Sequence, residues 1–422
     1  MRGLASRRAD RAAAAVRRPV RRVALYGFLG AGNIGNDASM EAVLAWLHDR
    51  HPEIAVSGIT ISPETLRERY RLPATWLAWY QAHPGRPRPA DVLGKLFGRL
   101  LDVPRSLLLV GRVDAVVVPG MGVLEESLGV TPWGLPLWMF LISAACRVRR
   151  RPFVLLAVGA EPVRHRITRL LFAATVRLAS HVSYRDIWSR EAMRANGVDA
   201  CHPVVPDLAF AHPSPADADP RPGTVVVGVI AYSGEGAGAG PDVLDQYVRT
   251  MADVVERLAA DGDRVVLVGG DRVDEPVAAR VAEAVLAARP ELGDAVTVPE
   301  VDGFAALSSE LARAEVVVAS RFHNLIAAVR LGRPVVSVGY AAKSARLMDG
   351  LGLAEYCQDV ADVDGARLLE QIRRARAAGD DITQQIRAKT SGYELQVTSL
   401  LEQLERVGAR RARYHPARSR IF

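Results

Sequence analysis

Two residues in the segment 316–340, Arg321 and His323, have the side chains and the position needed for chemistry on an anionic substrate. The segment begins with an apolar β-branched run that stops at Ser320, continues with helical spacing, and ends in a second apolar run opened by Pro334. It therefore predicts one βαβ unit with a polar corner. The carboxyl ends of parallel strands and the amino termini of helices are where open α/β sheets bind anions. We expect Arg321 to bind an anion there, with a titratable imidazole beside it.

Lys343 brings a second cation to the same edge of this predicted sheet. It follows the end of the second strand of the unit, as Arg321 follows the end of the first, and strand-end loops are where binding residues concentrate. An alternative interpretation makes Arg321 a surface charge and His323 a helix-start residue bonded to backbone. Two consecutive corners that carry cations favour the anion site.

Strands and helices alternate in both halves of the chain, as a doubly wound parallel sheet requires. Apolar runs in the first half predict strands at 22–27, 54–60, 115–119, 153–158 and 181–184. Runs in the second half predict strands at 224–230, 264–268, 316–320 and 335–338. The predicted fold class is α/β, with two Rossmann-like parallel-sheet domains.

A stretch rich in proline, alanine and aspartate, 212–223, is the predicted linker between the two domains. It separates a first domain, 22–211, from a second domain, 224–405. A chain of 422 residues is too long for one compact core and is long enough for two domains of this size. Basic tails, 1–21 and 406–422, flank the two domains.

Composition places the chain among ordinary globular proteins, because 49% of its residues are hydrophobic and 24% are charged. The three cysteines are widely spaced, and no His, Cys or carboxylate cluster has the spacing of metal ligands. We therefore expect a reducing compartment and no metal site. The apolar stretch 135–146 falls short of the roughly 20 residues that a membrane span needs and predicts a buried helix. Without the apolar region of a secretory signal, the predicted location is the cytoplasm.

Arginines crowd both ends of the chain, which has a formal net charge of +7. Such clusters are usually solvated tails. A sharper hypothesis is peripheral attraction to the anionic inner face of a membrane. Nucleic acid is not an expected partner, because the basic runs lack interleaved aromatic residues and any reading motif.

The segment 30–35 matches the Gly-x-Gly-x-x-Gly pattern of dinucleotide-binding folds. A nicotinamide-binding unit needs an acidic residue about 20 positions later to hold the ribose. Residues 57–60 occupy that neighbourhood and are Ser, Gly, Ile and Thr. We therefore expect no NAD-dependent oxidoreductase, and interpret the glycines as positions where backbone packs tightly or approaches a ligand.

Arg185 follows another predicted strand and precedes a helix expected at 187–196. It is either a further site cation or the partner of a nearby acid, Asp186 or Glu191. Asp207, just before the predicted linker, is expected to be structural. The segment 269–271, Gly-Gly-Asp, follows a strand and is interpreted as a turn.

Five segments in this order resemble the polysaccharide pyruvyl transferases, namely 26–37, 114–124, 183–186, 205–207 and 320–343. The resemblance implies a GT-B-like fold, with an acceptor-side and a donor-side domain facing a central cleft. It implies phosphoenolpyruvate as co-substrate, no cofactor, and a pyruvate ketal formed on a cell-surface glycan or its lipid-linked precursor.

The resemblance implies that Arg321 and His323 are catalytic. It assigns substrate binding to Arg185, Lys343, Tyr340, Gly32, Asn33, Gly35, Asp37, Gly120 and Gly122. Two positions depart from the family pattern: Asn36 separates Gly35 from Asp37, and Met121 replaces the middle glycine of a Gly-Gly-Gly corner. Two alternatives therefore stay open, a glycosyltransferase or epimerase that uses a nucleotide sugar, and a non-catalytic scaffold of envelope assembly.

Overall fold

The computed structural model describes residues 20–81, 88–126, 131–198, 201–215, 219–234 and 240–409. The chain divides into two compact units. The first unit contains the described residues of 20–31, 43–208 and 395–409, and the second contains those of 32–42 and 209–394. Most of the predicted basic tails lies outside the described residues.

The first half of the chain alternates strands and short or medium helices. In order they are β1 (Arg22–Gly27), α1 (Ile34–Arg50), β2 (Ala55–Thr60), α2 (Pro63–Glu68), β3 (Ala74–Trp76), α3 (Arg88–Gly111), β4 (Ala115–Pro119), α4 (Leu135–Arg149), β5 (Phe153–Val158), α5 (Arg166–Leu178), β6 (His181–Tyr184) and α6 (Ile187–Ala195).

The second half repeats the alternation and ends in three helices. In order they are β7 (Thr224–Gly228), α7 (Pro241–Ala260), β8 (Arg264–Val268), α8 (Glu275–Ala288), β9 (Val296–Thr297), α9 (Phe304–Ala312), β10 (Val316–Ala319), α10 (Phe322–Arg330), β11 (Val335–Gly339), α11 (Ala342–Leu351), β12 (Cys357–Asp359), α12 (Gly365–Ala377), α13 (Gly379–Thr390) and α14 (Tyr393–Ala409).

Each unit is built on one six-stranded parallel sheet. The strand order is β3-β2-β1-β4-β5-β6 in the first and β9-β8-β7-β10-β11-β12 in the second, so both have the doubly wound arrangement in which the order reverses between two central strands. β4 and β5 are buried at every position, as expected for parallel strands covered by helices on both faces. The predicted α/β fold with two parallel sheets is confirmed.

All nine strands predicted from apolar runs are present, with ends that agree within two residues. Three strands of two or three residues, β3, β9 and β12, were not predicted. Each lies at an edge of its sheet, where a strand is short and has fewer buried positions to produce an apolar run.

The buried helix predicted at 135–146 is confirmed as the first part of α4, with Leu135, Met139 and Ile142 in the core. The helix after the glycine-rich segment 30–35, predicted to begin near Asp37, begins earlier, at Ile34. The prolines of the segment 83–89 predict an exposed loop. Its residues up to 87 lie outside the described residues, and α3 already begins at Arg88. Among the helices that the structure describes, none combines the length and the apolar character needed to cross a bilayer.

Candidate active site

Asp274 connects the carboxyl ends of three neighbouring strands in the second unit. Its carboxylate accepts hydrogen bonds from Arg321 Nε at 2.8 Å and Nη2 at 2.7 Å. It also accepts from the backbone N of Ala231 at 2.9 Å and of Gly270 at 3.1 Å. These residues follow β10, β7 and β8, and β7 and β10 are the strands between which the strand order reverses. Open α/β sheets bind their ligands at this reversal.

Arg321 is thereby fixed as a charged group at the start of α10. Burial by itself lowers the pKa of this guanidinium, but the hydrogen bonds and ion pair with Asp274 outweigh that effect and raise it. Asp274 is fully buried, whereas the Arg321 side chain is 17% exposed. Since Nε and Nη2 point to Asp274, the Nη1 group remains outside this bidentate pair.

Gly270 leaves the space that this arrangement requires. A Cβ atom at position 270 would lie 2.7 Å from Arg321 Cγ and 2.5 Å from Asn324 Oδ1. Asn324 is fully buried, and neither of its amide atoms has a hydrogen-bond partner among the described residues. A buried amide without partners is energetically costly.

His323 packs directly on the first turn of α1. A Cβ atom at Gly35 would lie 1.8 Å from Nδ1 and 2.1 Å from Cγ of the imidazole, so only glycine fits at position 35. The imidazole also meets the ring of Phe322 edge-on, at 5.6 Å between ring centroids. The early glycine-rich loop therefore supports the histidine of the later βαβ unit.

Asn33 connects this loop to the corner after β8. Its Oδ1 accepts from the backbone N of Gly35 at 3.1 Å and of Asn36 at 3.2 Å, which caps α1 and explains its early start. Its Nδ2 donates to Asp271 Oδ2 at 3.0 Å. Gly32, just before it, has a φ of +94°, a backbone conformation that favours glycine.

Three more of the predicted substrate-binding residues, Lys343, Tyr340 and Asp37, lie in the same unit. Lys343 Nζ is 5.5 Å from the ring centroid of Phe322, the residue between Arg321 and His323. Tyr340 follows β11 and is 40% exposed. Asp37 is buried in the first turn of α1. The loop at 32–37 and the corners after β10 and β11 thus all contribute residues to the second unit.

Arg185 lies in the first unit and is fully engaged by acidic side chains. Its Nη2 is 2.5 Å from Glu125 Oε1, its Nε is 3.6 Å from Asp186, and its Nη1 is 3.8 Å from Asp207. Burial alone lowers the pKa of Arg185, but these carboxylates raise it. The nearest partner, Glu125, was not predicted, because 60 residues separate it from Arg185. Glu191 forms an ion pair within its own helix.

Gly120 and Gly122 form a tight corner after β4, also in the first unit. Gly120 has a φ of +61°, and a Cβ atom at Gly122 would lie 2.3 Å from Glu125 Cδ. Met121 between them has a φ of +68°, which is unusual for a residue with a side chain. Its buried side chain reaches the end of β1, with Cε 2.4 Å from the Cβ position of Gly27. The Met121 side chain therefore occupies the space at the ends of β1 and β4, where the strand order of the first sheet reverses.

The cluster in the second unit combines a fixed guanidinium, a lysine and an imidazole at the amino end of a helix. Such a set can hold a small anion and move a proton. Asp274 and Asn324 were not predicted, although Asp274 lies only three positions beyond the Gly-Gly-Asp turn that the sequence singles out. In the ranges that the structure describes, no group of three or more His, Cys, Asp or Glu side chains is placed to hold a metal ion.

Solved structures with this fold include enzymes of nucleotide-sugar chemistry. A Listeria monocytogenes protein described as a UDP-N-acetylglucosamine 2-epimerase has a TM-score of 0.60 at 12% identity, over 91% of this chain and 95% of that one. The UDP-GlcNAc 2-epimerase of Neisseria meningitidis, bound to UDP-GlcNAc, has a TM-score of 0.57 at 10% identity, over 92% and 100%. The glycotransferase of kitacinnamycin has a TM-score of 0.53 at 15% identity, over 92% and 99%. At these identities the likeness establishes a GT-B-like fold alone.

Comparison at the level of sequence identifies the family. No curated protein sequence matches the chain. The family description of polysaccharide pyruvyl transferases matches residues 33–341, a range that begins at the loop beneath His323 and ends two residues before Lys343. Because this match covers most of the chain, the protein belongs to the polysaccharide pyruvyl transferase family.

Proposed function

We propose that this protein transfers the pyruvyl group of phosphoenolpyruvate to two hydroxyls of one sugar, on a cell-surface glycan or its lipid-linked precursor, and forms a pyruvate ketal. Family membership supports a transferase of this class. The observation that carries the donor assignment is the corner after β10, where Arg321 is held in a bidentate pair by Asp274, two positions before His323.

Phosphoenolpyruvate carries a carboxylate and a phosphate, so its site needs several donors. A planar guanidinium suits both groups better than a point charge, and Arg321 is the proposed clamp. Asp274 balances the charge of Arg321, so the attraction for a multiply charged anion must also come from Lys343 and from the amino end of α10. The unpaired amide of Asn324 is the proposed further contact.

The reaction balances without a cofactor. A proton added to the methylene carbon makes C2 electrophilic, and one sugar hydroxyl forms a C2–O bond as it loses its proton. A second hydroxyl of the same sugar then forms the other C2–O bond and loses its proton, while the bond from C2 to the phosphate oxygen breaks. One of the two released protons replaces the proton used at the methylene carbon, and the other leaves with inorganic phosphate.

His323 is proposed to move a proton in this sequence. An imidazole titrates near neutral pH, and a nearby phosphate favours its protonated form until the proton is used. Gly35 fixes the position of the ring. The proposed location is the cytoplasm, at the inner membrane face where lipid-linked sugars are found.

Calorimetric titration with phosphoenolpyruvate tests the donor assignment. We would compare the wild type with Arg321→Lys, which keeps the charge but loses the fork, and with the matched change Arg373→Lys on an exposed arginine of α12 that is paired with Glu370. The expected result is binding by the wild type and by Arg373→Lys, and binding weakened by about tenfold or more in Arg321→Lys.

Titrations with UDP-sugars and NAD complete this experiment. Binding of a UDP-sugar instead of phosphoenolpyruvate would replace the proposal with glycosyl transfer or epimerisation. Equal phosphoenolpyruvate affinity in the wild type and Arg321→Lys would remove Arg321 from the donor site. Absence of binding to all three, in protein shown to be folded by its thermal transition, would favour the scaffold hypothesis.

A further inference from the structure

Helix α3 is amphipathic in the opposite sense to most helices of globular proteins. A helix that packs on a core normally turns its apolar face inward. In α3 the buried positions include Asp102 and Ser106, whereas large apolar side chains on the other face meet solvent. The exposed fractions are 67% for Leu93, 54% for Leu96, 57% for Phe97, 71% for Leu100, 48% for Val103 and 61% for Leu108.

The polar face is held to the first unit by specific bonds. Asp102 accepts from the backbone N of Trp79 at 2.7 Å and from Trp138 Nε1 at 3.0 Å. Arg105 Nη2 donates to the carbonyl oxygen of Trp76 at 2.7 Å. These partly buried bonds make the orientation of α3 a property of the fold, because rotating the helix would leave the carboxylate and the guanidinium without these partners.

Glycines on the inward side fix the same orientation. A Cβ atom at Gly94 would lie 2.4 Å from Tyr80 Cε2, and one at Gly98 would lie 2.6 Å from Tyr80 Cβ. The Tyr80 hydroxyl donates to Asp91 at 3.0 Å. The helix therefore approaches this segment through its small and polar residues and leaves its apolar face outward.

An exposed tryptophan extends the apolar face. Trp79 is 49% exposed and meets the ring of Phe97 edge-on, at 6.1 Å between ring centroids. Tryptophan and phenylalanine beside leucines are typical of helices that lie in the interfacial zone of a bilayer, where an amphipathic ring is favourable.

The charge of this segment fits an anionic surface. Residues 88–112 contain five basic and two acidic side chains. Asp102 and Arg105 both lie on the inward side, and Lys95 pairs with the other acid, Asp91, so the remaining charge of the segment is positive. Lys95 and Arg99 lie beside the apolar face in the helical sequence. Basic residues that flank an exposed apolar stripe are attracted to acidic phospholipid headgroups.

We propose that the outer face of α3, formed by Leu93, Leu96, Phe97 and Leu100 with Trp79, inserts into the interfacial region of an anionic phospholipid membrane. The helix lies on the bilayer and does not span it. This inference does not rest on the proposed pyruvyl transfer, because it follows from the outward apolar face and the basic charge of the helix alone.

Vesicle co-sedimentation of the full chain tests the proposal. The probes are vesicles of phosphatidylcholine alone and vesicles that contain about one third phosphatidylglycerol. The test variant is Leu96→Gln/Leu100→Gln, and the matched control is Ile167→Gln/Leu170→Gln on α5, at two other exposed apolar positions of the same unit. We expect the wild type and the control to bind the anionic vesicles. The affinity of the α3 variant for these vesicles should be lower by about tenfold or more.

Trp79 reports which surface meets the lipid. Brominated acyl chains should quench part of the tryptophan fluorescence of the wild type, and Trp79→Phe should remove that quenchable part while vesicle binding continues. If the α3 variant binds the vesicles as tightly as the wild type does, the membrane contact belongs to the basic tails and the proposal is overturned. A wild-type dimer that the α3 variant converts to a monomer, without vesicle binding by either, would identify a second copy as the occupant instead.

Discussion

The Asp274 carboxylate holds the Arg321 guanidinium through two hydrogen bonds, at 2.8 and 2.7 Å. The same carboxylate is anchored by the backbone after β7 and β8. The orientation of the proposed donor clamp is therefore set during folding, and a substrate does not have to immobilise a flexible arginine when it binds.

Arg321→Ala should destabilise the protein as well as the site. It leaves the fully buried Asp274 without its cation, so we expect a loss of about 3 to 5 kcal/mol in the free energy of unfolding. In an Asp274→Ala background the same change should cost about 1 kcal/mol or less, because no buried charge is left unpaired. Urea unfolding of the four proteins measures this difference. Additive costs would show that the two side chains are not coupled.

Gly35→Ala should have opposite effects in two backgrounds. With His323 present, the new methyl group meets the imidazole, and we expect a loss of about 1 to 3 kcal/mol from the forced rearrangement. In a His323→Ala background the contact is gone and alanine is the better helix former, so the same change should stabilise by about 0.5 to 1 kcal/mol. Thermal and urea unfolding give the sign, and the same sign in both backgrounds would contradict this packing.

His323→Asn should separate binding from turnover. Asparagine retains hydrogen-bond donors but does not titrate, so phosphoenolpyruvate affinity should stay within about threefold of the wild type. Turnover should fall by about two to four orders of magnitude if the imidazole moves the proton. Calorimetry and phosphate release measure the two quantities. Near-normal phosphate release would remove His323 from acid–base catalysis.

Local patterns along the chain predicted the two sheets because parallel strands buried on both faces produce continuous apolar runs. They also predicted that Arg321 and His323 follow the carboxyl end of a strand, because a strand-end corner is visible in the sequence. The three edge strands left too few buried positions to be recognised.

The partners of the site residues were not predictable in the same way. The pairs of Arg321 with Asp274 and of Arg185 with Glu125 join residues 47 and 60 positions apart, and no local spacing encodes such pairs. The packing of Gly35 on His323 likewise depends on tertiary contacts between an early loop and a late helix.

Asp271→Asn should change the pH dependence of stability. Burial raises the pKa of Asp271, and Arg321 with the hydrogen bonds from Val273 and Asn33 offsets only part of this. An acid with a raised pKa in the folded state contributes its full stability below its unfolded pKa of about 4, and loses it as the pH rises through the folded value. Relative to the wild type, the variant should therefore gain stability as the pH rises above about 4, until Asp271 is fully ionised in the folded state.

Asparagine at position 271 retains one carbonyl oxygen, so one of the two acceptor roles of Asp271 is lost. That loss shifts the stability difference by the same amount at every pH, and only the slope reports the carboxyl group. Unfolding measured across this pH range gives the slope directly. If the stability of the variant relative to the wild type stays constant, or falls as the pH rises, the pKa of Asp271 is not raised in the folded protein.

Met121→Gly tests whether packing or backbone strain dominates at the first-unit corner. Removal of a buried methionine side chain costs about 2 to 5 kcal/mol, whereas relief of its positive φ returns about 1 to 2 kcal/mol. We expect a net loss of about 1 to 3 kcal/mol. Met121→Ala is the matched variant: it keeps the strain and should be less stable than the glycine variant by about 1 kcal/mol. An alanine variant as stable as the glycine variant would show that the backbone is not strained.

The contact between Gly35 and His323 is also a constraint on inheritance. As long as position 323 carries the imidazole in this place, position 35 accepts no side chain. In a lineage that has lost the histidine, a side chain at position 35 no longer meets the imidazole. Substitutions can then accumulate in the loop around position 35, although it is distant from position 323 in sequence. Among relatives with this corner, glycine at position 35 should therefore accompany histidine at position 323. Relatives in which both positions have changed would form a branch that no longer uses the imidazole.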